Sequence, residues 1–407
     1  MQAQESKFLD DIAKRALKFF LDASHPKTGM TLDRTPNVAG SPGKTNIAST
    51  AATGYSVTAF CIGTHYGWLD SKTARVRIHR VLDTLQDGLE GKSGFYYHFI
   101  NWETGARAWN SELSSIDTAL LQMGLLTAAA YFGGSIAQKV DRILRRTEWV
   151  WMQNLATNSP ADTCLSMGWK PESGFLESRW DHYDESLFLY ILAMGSPGKY
   201  RIPITTWQNW KTEDDSKTGL FTPVGPLFWS QMTAGYVNLA EKHDRYGRDF
   251  WSVWKRSHAY HIAFCARESK HYKTYREGIF GINACDQPPP VGYGAQEPLR
   301  GRHDGTIAPT AMVAASIFDK LAAIRGLSAL RKRFGNKAYG YYGFANAINE
   351  DKDWIDPDVL GLDLGMAITC YANSRDRFIW NLLGKQATIL RGLNAMGMTQ
   401  NGVKNNP

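Results

Sequence analysis

The chain has 407 residues, 43% apolar and 12% aromatic, with a net charge of +7 and a pI of about 9.0. That apolar fraction is ample for a large core, and no run reaches the length of a membrane span. The basic residues are scattered, and the two near-clusters at 142–146 and 331–333 lack the interleaved aromatics of a single-strand groove, which argues against nucleic acid.

The beginning of the chain, Gln2, Ala3 and Gln4 after Met1, suits the region around a signal-peptidase cut, so a periplasmic or secreted protein with its leader removed is expected. From there the periodicity is helical nearly throughout. An amphipathic segment at 8–21 is followed by a mostly apolar one at 49–66, and amphipathic 73–89 by apolar 117–132. Amphipathic 137–152 precedes two apolar segments, 185–194 and 229–239; amphipathic 249–268 follows, then apolar 306–318 and amphipathic 320–333. Apolar 360–371 and amphipathic 377–396 complete the series. A helix without a polar face is buried on every side, and an amphipathic one is wetted along one stripe. Two concentric rings satisfy that alternation, so the expected fold is an all-α (α/α)6 barrel. It is expected to be one domain over 1–407, with frayed N- and C-terminal tails, the latter after about Met398. Two loops interrupt the helices: 92–110, holding Gly94 to Phe99 and Trp102, reads as a small rim hairpin or lid, and 281–304 is rich in Gly and Pro.

Acids cluster where the apolar helices begin. Asp117 follows Ser114 at capping-box spacing, so helix capping is its plain role; the functional alternative points its carboxyl into a cavity that Glu112 also reaches. Asp181, Asp184 and Glu185 put three carboxyls in five residues. Asp181 is placed as a helix cap with Asp184 closing the box, while Glu185 has no such duty. Burial and neighbouring like charge raise a carboxyl pKa, as a general acid requires, while a first-turn helix dipole lowers it. His303 and Asp304 open another apolar helix, with Asp304 a candidate cap, and Asp363 lies near the start of the last one. Paired carboxyls across a sugar-sized gap are the apparatus of glycoside hydrolysis. The 14 Trp and 18 Tyr exceed what packing usually asks. Their rings stack on sugar faces and leave N–H and O–H for hydroxyls, although packing between helices is their other common use.

Other chemistries lack their signatures. There is no GxSxG elbow, Walker loop or HExxH. His258 and His261 share a helix face, but no carboxylate or cysteine completes a ligand set, so a surface or packing role is expected and no metal. Cys61, Cys164, Cys265, Cys285 and Cys370 show no ligand spacing, and their odd number argues against a disulfide framework.

Residues 109–121, 165–175, 179–185, 192–197, 303–309 and 354–363 together resemble the bacterial glycoamylase-like family, in order, over about residues 8–396. That family includes glycoside hydrolase family 144, which hydrolyses β-1,2-glucans on an (α/α)6 barrel. The resemblance implies that Glu185 is the acid of a Tyr-x-Glu motif, that Asp117 heads a buried helix as in relatives, and that Asp363 is the acid of a Gly-Ile-Asp-like motif. It implies an inverting reaction. One wall departs from the pattern: where relatives carry two histidines, a tyrosine and an aspartate, residues 230–238 carry Ser230, Met232, Ala234 and Asn238, with Tyr236 for a tryptophan. A frequent Glu-Asn reads Ala372-Asn373.

The resulting expectation is a glycosidase acting on β-glucan or gluco-oligosaccharides, β-1,2-linked first, with Glu185, Asp117 and Asp363 catalytic. Trp102, Trp169, Trp180, Tyr183 and Tyr293 would stack on sugars, with Glu112, Asp181, His303 and Asp304 binding hydroxyls. No cofactor is required, the partner is an oligo- or polysaccharide, and the protein is a monomer away from membranes. The alternatives are a glycan-binding protein that has lost catalysis, motivated by the altered wall, and a transglycosylase on the same sugars.

Overall fold

The computed structural model describes residues 2–40, 43, 45–155 and 163–398, with the side chains of 2–5 left aside. The tail expected after Met398 lies outside the described residues. The helices are α1 (Gln2–Asp22), α2 (Thr50–His65), α3 (Ser71–Asp87), α4 (Ser115–Phe132), α5 (Gly134–Arg146), α6 (Leu187–Gly195) and α7 (Thr205–Asn209). They continue with α8 (Phe228–Tyr236), α9 (Phe250–Glu268), α10 (Pro309–Ala315), α11 (Lys320–Phe334), α12 (Gly361–Asp376), α13 (Phe378–Leu383) and α14 (Ala387–Met396). All the expected apolar segments are helical, and α6 and α10 are buried from end to end. The amphipathic helices α3 and α5 bury one stripe each, Ala74, Ile78, Val81, Leu82 and Leu85 in the first and Ile136, Val140, Ile143 and Leu144 in the second.

The apolar helices touch one another in sequence: α2 packs on α4, α4 on α6, α6 on α8, α8 on α10, α10 on α12, and α12 back on α2. The amphipathic helices lie against them, α1 on α2 and α12, α5 on α4, α11 on α10 and α14 on α6. The α2–α4 contact is closest at two glycines. A Cβ added to Gly124 would lie 2.0 Å from the carbonyl oxygen of Gly54, and one on Gly54 would lie 2.5 Å from Leu121 Cα. Backbone atoms of a packed helix cannot swing aside as a side chain can, so the helices must separate. Gly124→Ala is therefore expected to destabilise the protein by about 3 kcal/mol or more, read as a lower urea midpoint at unchanged slope.

Helices α6, α8 and α10 cover only part of the apolar segments 185–194, 229–239 and 306–318, and two amphipathic segments are also cut short or divided. The 137–152 segment ends at Arg146, and Thr147 is extended. There the Thr147 hydroxyl accepts from Gln122 Nε2 at 2.8 Å and Glu148 N–H donates to Ser93 O, which turns the chain so that Trp149 is fully buried. The 377–396 segment divides into α13 and α14 because the pieces serve different partners: α13 packs on α4, α8 and α12, while α14 packs on α6.

Short strands fill the rim. Gly91–Lys92, Phe95–Tyr97, Leu113–Ser114, Gly168–Lys170 and Gly174–Phe175 form a five-stranded antiparallel sheet, larger than the small hairpin expected at 92–110. Ile47–Ser49 pairs with Phe99–Asn101, and Arg34–Pro36 with Asp358–Leu360. The strands ending at Ser49, Ser114 and Leu360 run straight into α2, α4 and α12, and these three residues are the helix N-caps. Strand pairing thus pins those three N-termini to one rim.

Candidate active site

A cavity of about 450 Å³ opens among these helix N-termini. Asp117, Glu185 and Asp363, far apart in sequence, all line it. Asp117 and Asp363 lie in the first turns of α4 and α12 and are 5% and 3% exposed. The Ser114 hydroxyl caps α4 by accepting from Asp117 N–H at 3.2 Å and donates to Asp117 Oδ2 at 2.5 Å. The capping role and the cavity role of Asp117 therefore coexist. Asn346 Nδ2 donates to Asp363 Oδ2 at 2.5 Å.

Glu185 lies before the helix rather than in its first turn. α6 begins at Leu187 with Ser186 as its N-cap, and no side chain caps it. Asp181 does not cap it; it pairs with His182 Nδ1, while Asp184 accepts from Ser186 N–H at 2.8 Å. The chain stays in a tight polar turn to that point, so the helix starts later than the apolar run suggests.

Burial sets the charge of the acids. It pushes Glu185 well above the carboxylate range, with Asp184 and Asp117 adding like charge. Asp117 is also raised by burial, against the pull of His98 and the Ser114 hydroxyl. Asp363 is pushed up to about 7 by burial, despite Asn346 and with Asp286 and Asp33 nearby. A helix dipole contributes about 0.3–1 kcal/mol, whereas a unit of pKa is about 1.4 kcal/mol, so desolvation wins at both first turns.

His98 was not among the candidates from sequence, although it lies within the 92–110 loop. Its Nδ1 is 3.0 Å from Glu112 Oε1 and its Nε2 is 3.7 Å from Asp117 Oδ1. Burial opposes its charge, but these two carboxylates raise it to about 9. Glu112 is held low, against its own burial, by the hydrogen bond to His98. Glu112 reaches the Asp117 site through this imidazolium. Asp33 and Arg34 also line the cavity. The Arg34 guanidinium bonds Asp33 at 2.9 Å and Asp286 at 2.8 Å, the latter 252 positions away in sequence. No periodicity or spacing marks so distant a pair.

Of the expected sugar-stacking rings, the structure brings only Tyr293 into the cavity, on the hairpin Ala284–Gln287/Gly292–Ala295. Trp180 is 6% exposed and donates from Nε1 to Ser115 Oγ at 2.8 Å. Trp169 sits on the rim sheet under Lys92 Nζ, 4.1 Å from the ring centroid. Trp102 packs edge-on to His25 at 4.9 Å. Tyr183 lines a separate cavity of about 240 Å³ with His182, Glu213, Trp229 and Arg300. His303 packs among Tyr272, Tyr275 and Phe264, with Tyr275 Oη 3.1 Å from Nδ1. Asp304 does not cap α10, whose N-cap is Ala308; it accepts from Thr306 N–H and pairs with Lys352 at 2.9 Å. These residues share aromatic or acidic character with a sugar site, but tertiary packing uses that character elsewhere.

His258 and His261 are buried and neutral, pushed down by burial to about 4 and about 3. They bond Trp254 O and Gly225 O, a packing role. Every cysteine is buried and unpaired.

Helix N-termini converging on an acid-lined cavity define the class, and comparison with known proteins gives the family. A family model described as "Glycoamylase: Putative glucoamylase" matches residues 177–387, more than half of the chain, and the chain belongs to that family. It is similar to an exo-β-1,2-glucooligosaccharide sophorohydrolase (non-reducing end) of Parabacteroides distasonis, 23% identical over 96% of this chain but only 57% of that protein's length. Its fold is that of an endo-β-1,2-glucanase from Chitinophaga pinensis (TM-score 0.85, 21% identity, 96% of this chain and 98% of the other). A β-1,2-glucanase from Parabacteroides distasonis shares it too (TM-score 0.86, 21% identity, 96% of this chain and 60% of the other).

Proposed function

We propose that the protein is a glycoside hydrolase that cleaves β-glucosides, with β-1,2-linked gluco-oligosaccharides as the first linkage to examine. We read the fold as a single-domain (α/α)6 barrel whose inner ring is α2, α4, α6, α8, α10 and α12. The observation that carries the function is the meeting of Glu185, whose carboxyl desolvation pushes toward the protonated form, with Asp117 and Asp363 in one cavity. In the cyclic contact order, the α6 and α12 ends lie opposite each other, which suits an acid and a base on opposite sides of a sugar ring, as inversion requires. Glu185 gives its proton to the leaving oxygen. Asp363, near neutrality, takes one from the attacking water. Asp117, held toward its ionised form by His98, stabilises the positive charge that develops on the sugar. The relatives' names support the substrate class.

Product analysis on linear β-1,2-, β-1,3-, β-1,4- and α-linked glucans, with short β-1,2 oligosaccharides, tests the reading. Release of shorter sugars from a β-linked substrate supports it; binding without turnover across the panel refutes it, and products longer than the substrate would indicate transfer. His98→Gln keeps a hydrogen-bonding group for Glu112 but removes the cation beside Asp117, whose pKa then rises further. The variant is expected to lose about tenfold in kcat/KM at acidic pH and less as the pH rises, because Asp117 then ionises without help. An equal loss across that range would show that His98 does not tune Asp117.

A further inference from the structure

The cavity of about 240 Å³ lined by His182, Tyr183, Glu213, Pro223, Trp229 and Arg300 has no part in the chemistry above. It adjoins the catalytic cavity along two stretches of chain. Phe228 lines the larger cavity, and Trp229, the next residue, lines the smaller. Glu185 lines the larger, and Tyr183, two residues before it, the smaller. Residues two apart have Cα atoms no more than about 7 Å apart, so the two cavities are neighbours where the chain enters α6 and α8.

Trp229 is half-buried, and its indole is fixed by its neighbours. Tyr183 meets it edge-on, with ring centroids 5.8 Å apart. Its six-membered ring fills the space that a Cβ on Gly225 would take, with Cε3 2.1 Å and Cζ3 2.3 Å from that position. Gly225 is held in turn by His261, whose Nε2 donates to Gly225 O at 2.9 Å. The buried imidazole thus fixes the floor on which the indole rests. The start of α8 is tied down as well: Asn283 Oδ1 accepts from Phe228 N–H at 2.8 Å, and Asn283 O accepts from Gln296 N–H. Trp229 Nε1 has no hydrogen-bond partner among the described residues, so the ring keeps a donor to give.

The polar groups around this ring are also only partly used. His182 bridges to Lys211, whose N–H donates to Asp181 O at 2.8 Å, and this sets the loop that carries Glu213 beside the cavity. Glu213 has no ion pair among the described residues. His182 engages Asp181 through Nδ1 and keeps Nε2. The Arg300 side chain is 53% exposed, with Nε 3.8 Å from Glu297. A guanidinium, a carboxylate and an imidazole together carry little net charge, which suits a neutral ligand with hydroxyls better than an ion. A fixed indole with a free N–H, ringed by donors and an acceptor, matches the apolar face and polar edge of a pyranose.

We propose that this smaller cavity is a second sugar site, where Trp229 stacks on a further glucosyl unit of the chain whose scissile bond lies at Glu185, and where Arg300, His182 and Glu213 bind its hydroxyls. The ligand class is a neutral gluco-oligosaccharide longer than a disaccharide. This rests on the hydrolase reading above and adds selection by length, because binding energy from the remote unit raises kcat/KM on longer substrates.

The test measures kcat/KM along an oligosaccharide series, from disaccharide to hexasaccharide, of the linkage that the protein cleaves. The hexasaccharide is expected to exceed the disaccharide by about tenfold or more, and Trp229→Ala to reduce that ratio by about fivefold or more. Arg300→Ala, at an exposed position, is expected to reduce it by about threefold. A ratio near one in the parent, or one left unchanged by Trp229→Ala, would overturn the inference and leave the hydrolase reading standing. Should Trp229→Ala fail to fold, Arg300→Ala decides by the same criterion. If no glucan is hydrolysed, calorimetry with the β-1,2-linked series decides. Hexasaccharide binding about tenfold tighter than disaccharide binding, and weakened by Trp229→Ala, would keep the site and reject the hydrolase. Any other binding result would reject both.

Discussion

Glu185→Gln is expected to lower kcat on an unactivated β-glucoside by about a thousandfold, within the range a positioned general acid contributes. The carboxyl is part-buried, desolvation favours its protonated form, and no other side chain is hydrogen-bonded to it among the described residues. Its proton is therefore free to go to a leaving oxygen. Glutamine fills the same space but has no such proton to give. The loss should depend on the leaving group. A dinitrophenolate departs with little protonation, so the variant should retain far more activity on a dinitrophenyl glucoside than on an alkyl one. Equal losses on both substrates would move Glu185 from acid catalysis to binding. Full retention on both would remove it from the reaction.

Asp363→Asn is expected to lose activity and gain stability together. Burial pushes this carboxyl from 3.8 up to about 7 in the folded protein. The folded state thus binds the proton more tightly than the unfolded chain. Stability from this group is fully present below about pH 4 and is lost as pH rises through 7. The upward shift corresponds to about 4 kcal/mol at pH 8, and roughly 2–4 kcal/mol once relaxation of the surrounding acids is allowed for. Asparagine never ionises and still accepts from Asn346. The variant should therefore match the parent at pH 4 and exceed it at pH 8 in urea unfolding, while kcat falls about a hundredfold or more. A variant no more stable at pH 8 would mean that Asp363 ionises without penalty, and a base with a pKa near 7 would have to be sought elsewhere.

The altered stretch 230–238 takes a definite form in the structure. Tyr236 is buried, stacks on Tyr55 with ring centroids 5.8 Å apart, and bonds the Thr58 hydroxyl at 3.1 Å. Asn373, in the other altered motif, donates to Gly235 O at 2.7 Å. Asn238 accepts from Ala240 N–H in a local turn. These side chains knit α8 to α2 and α12, leaving Phe228 and Met232 to face the cavity.

The helices and their two kinds were legible in the sequence because a run with no polar face has nowhere to go but inside. The same reasoning placed Asp117, Glu185 and Asp363 at the heads of buried helices, and all three line one cavity. Periodicity is a local property, however, and it overran wherever a segment changed partners, as at Thr147 and between α13 and α14. Side-chain duty is not local at all. Trp180 and Tyr183 flank Asp181 in sequence, yet one ring enters the core and the other a separate cavity. His98 became a partner of Asp117 only through the sheet that carries the 92–110 loop to the head of α4. Arg34 met Asp286 across 252 positions. The sequence by itself determined which helices are buried and where their acids begin. Only the tertiary structure decided which acids are protonated and which rings meet the cavity, because desolvation and pairing depend on neighbours that the chain brings from far away.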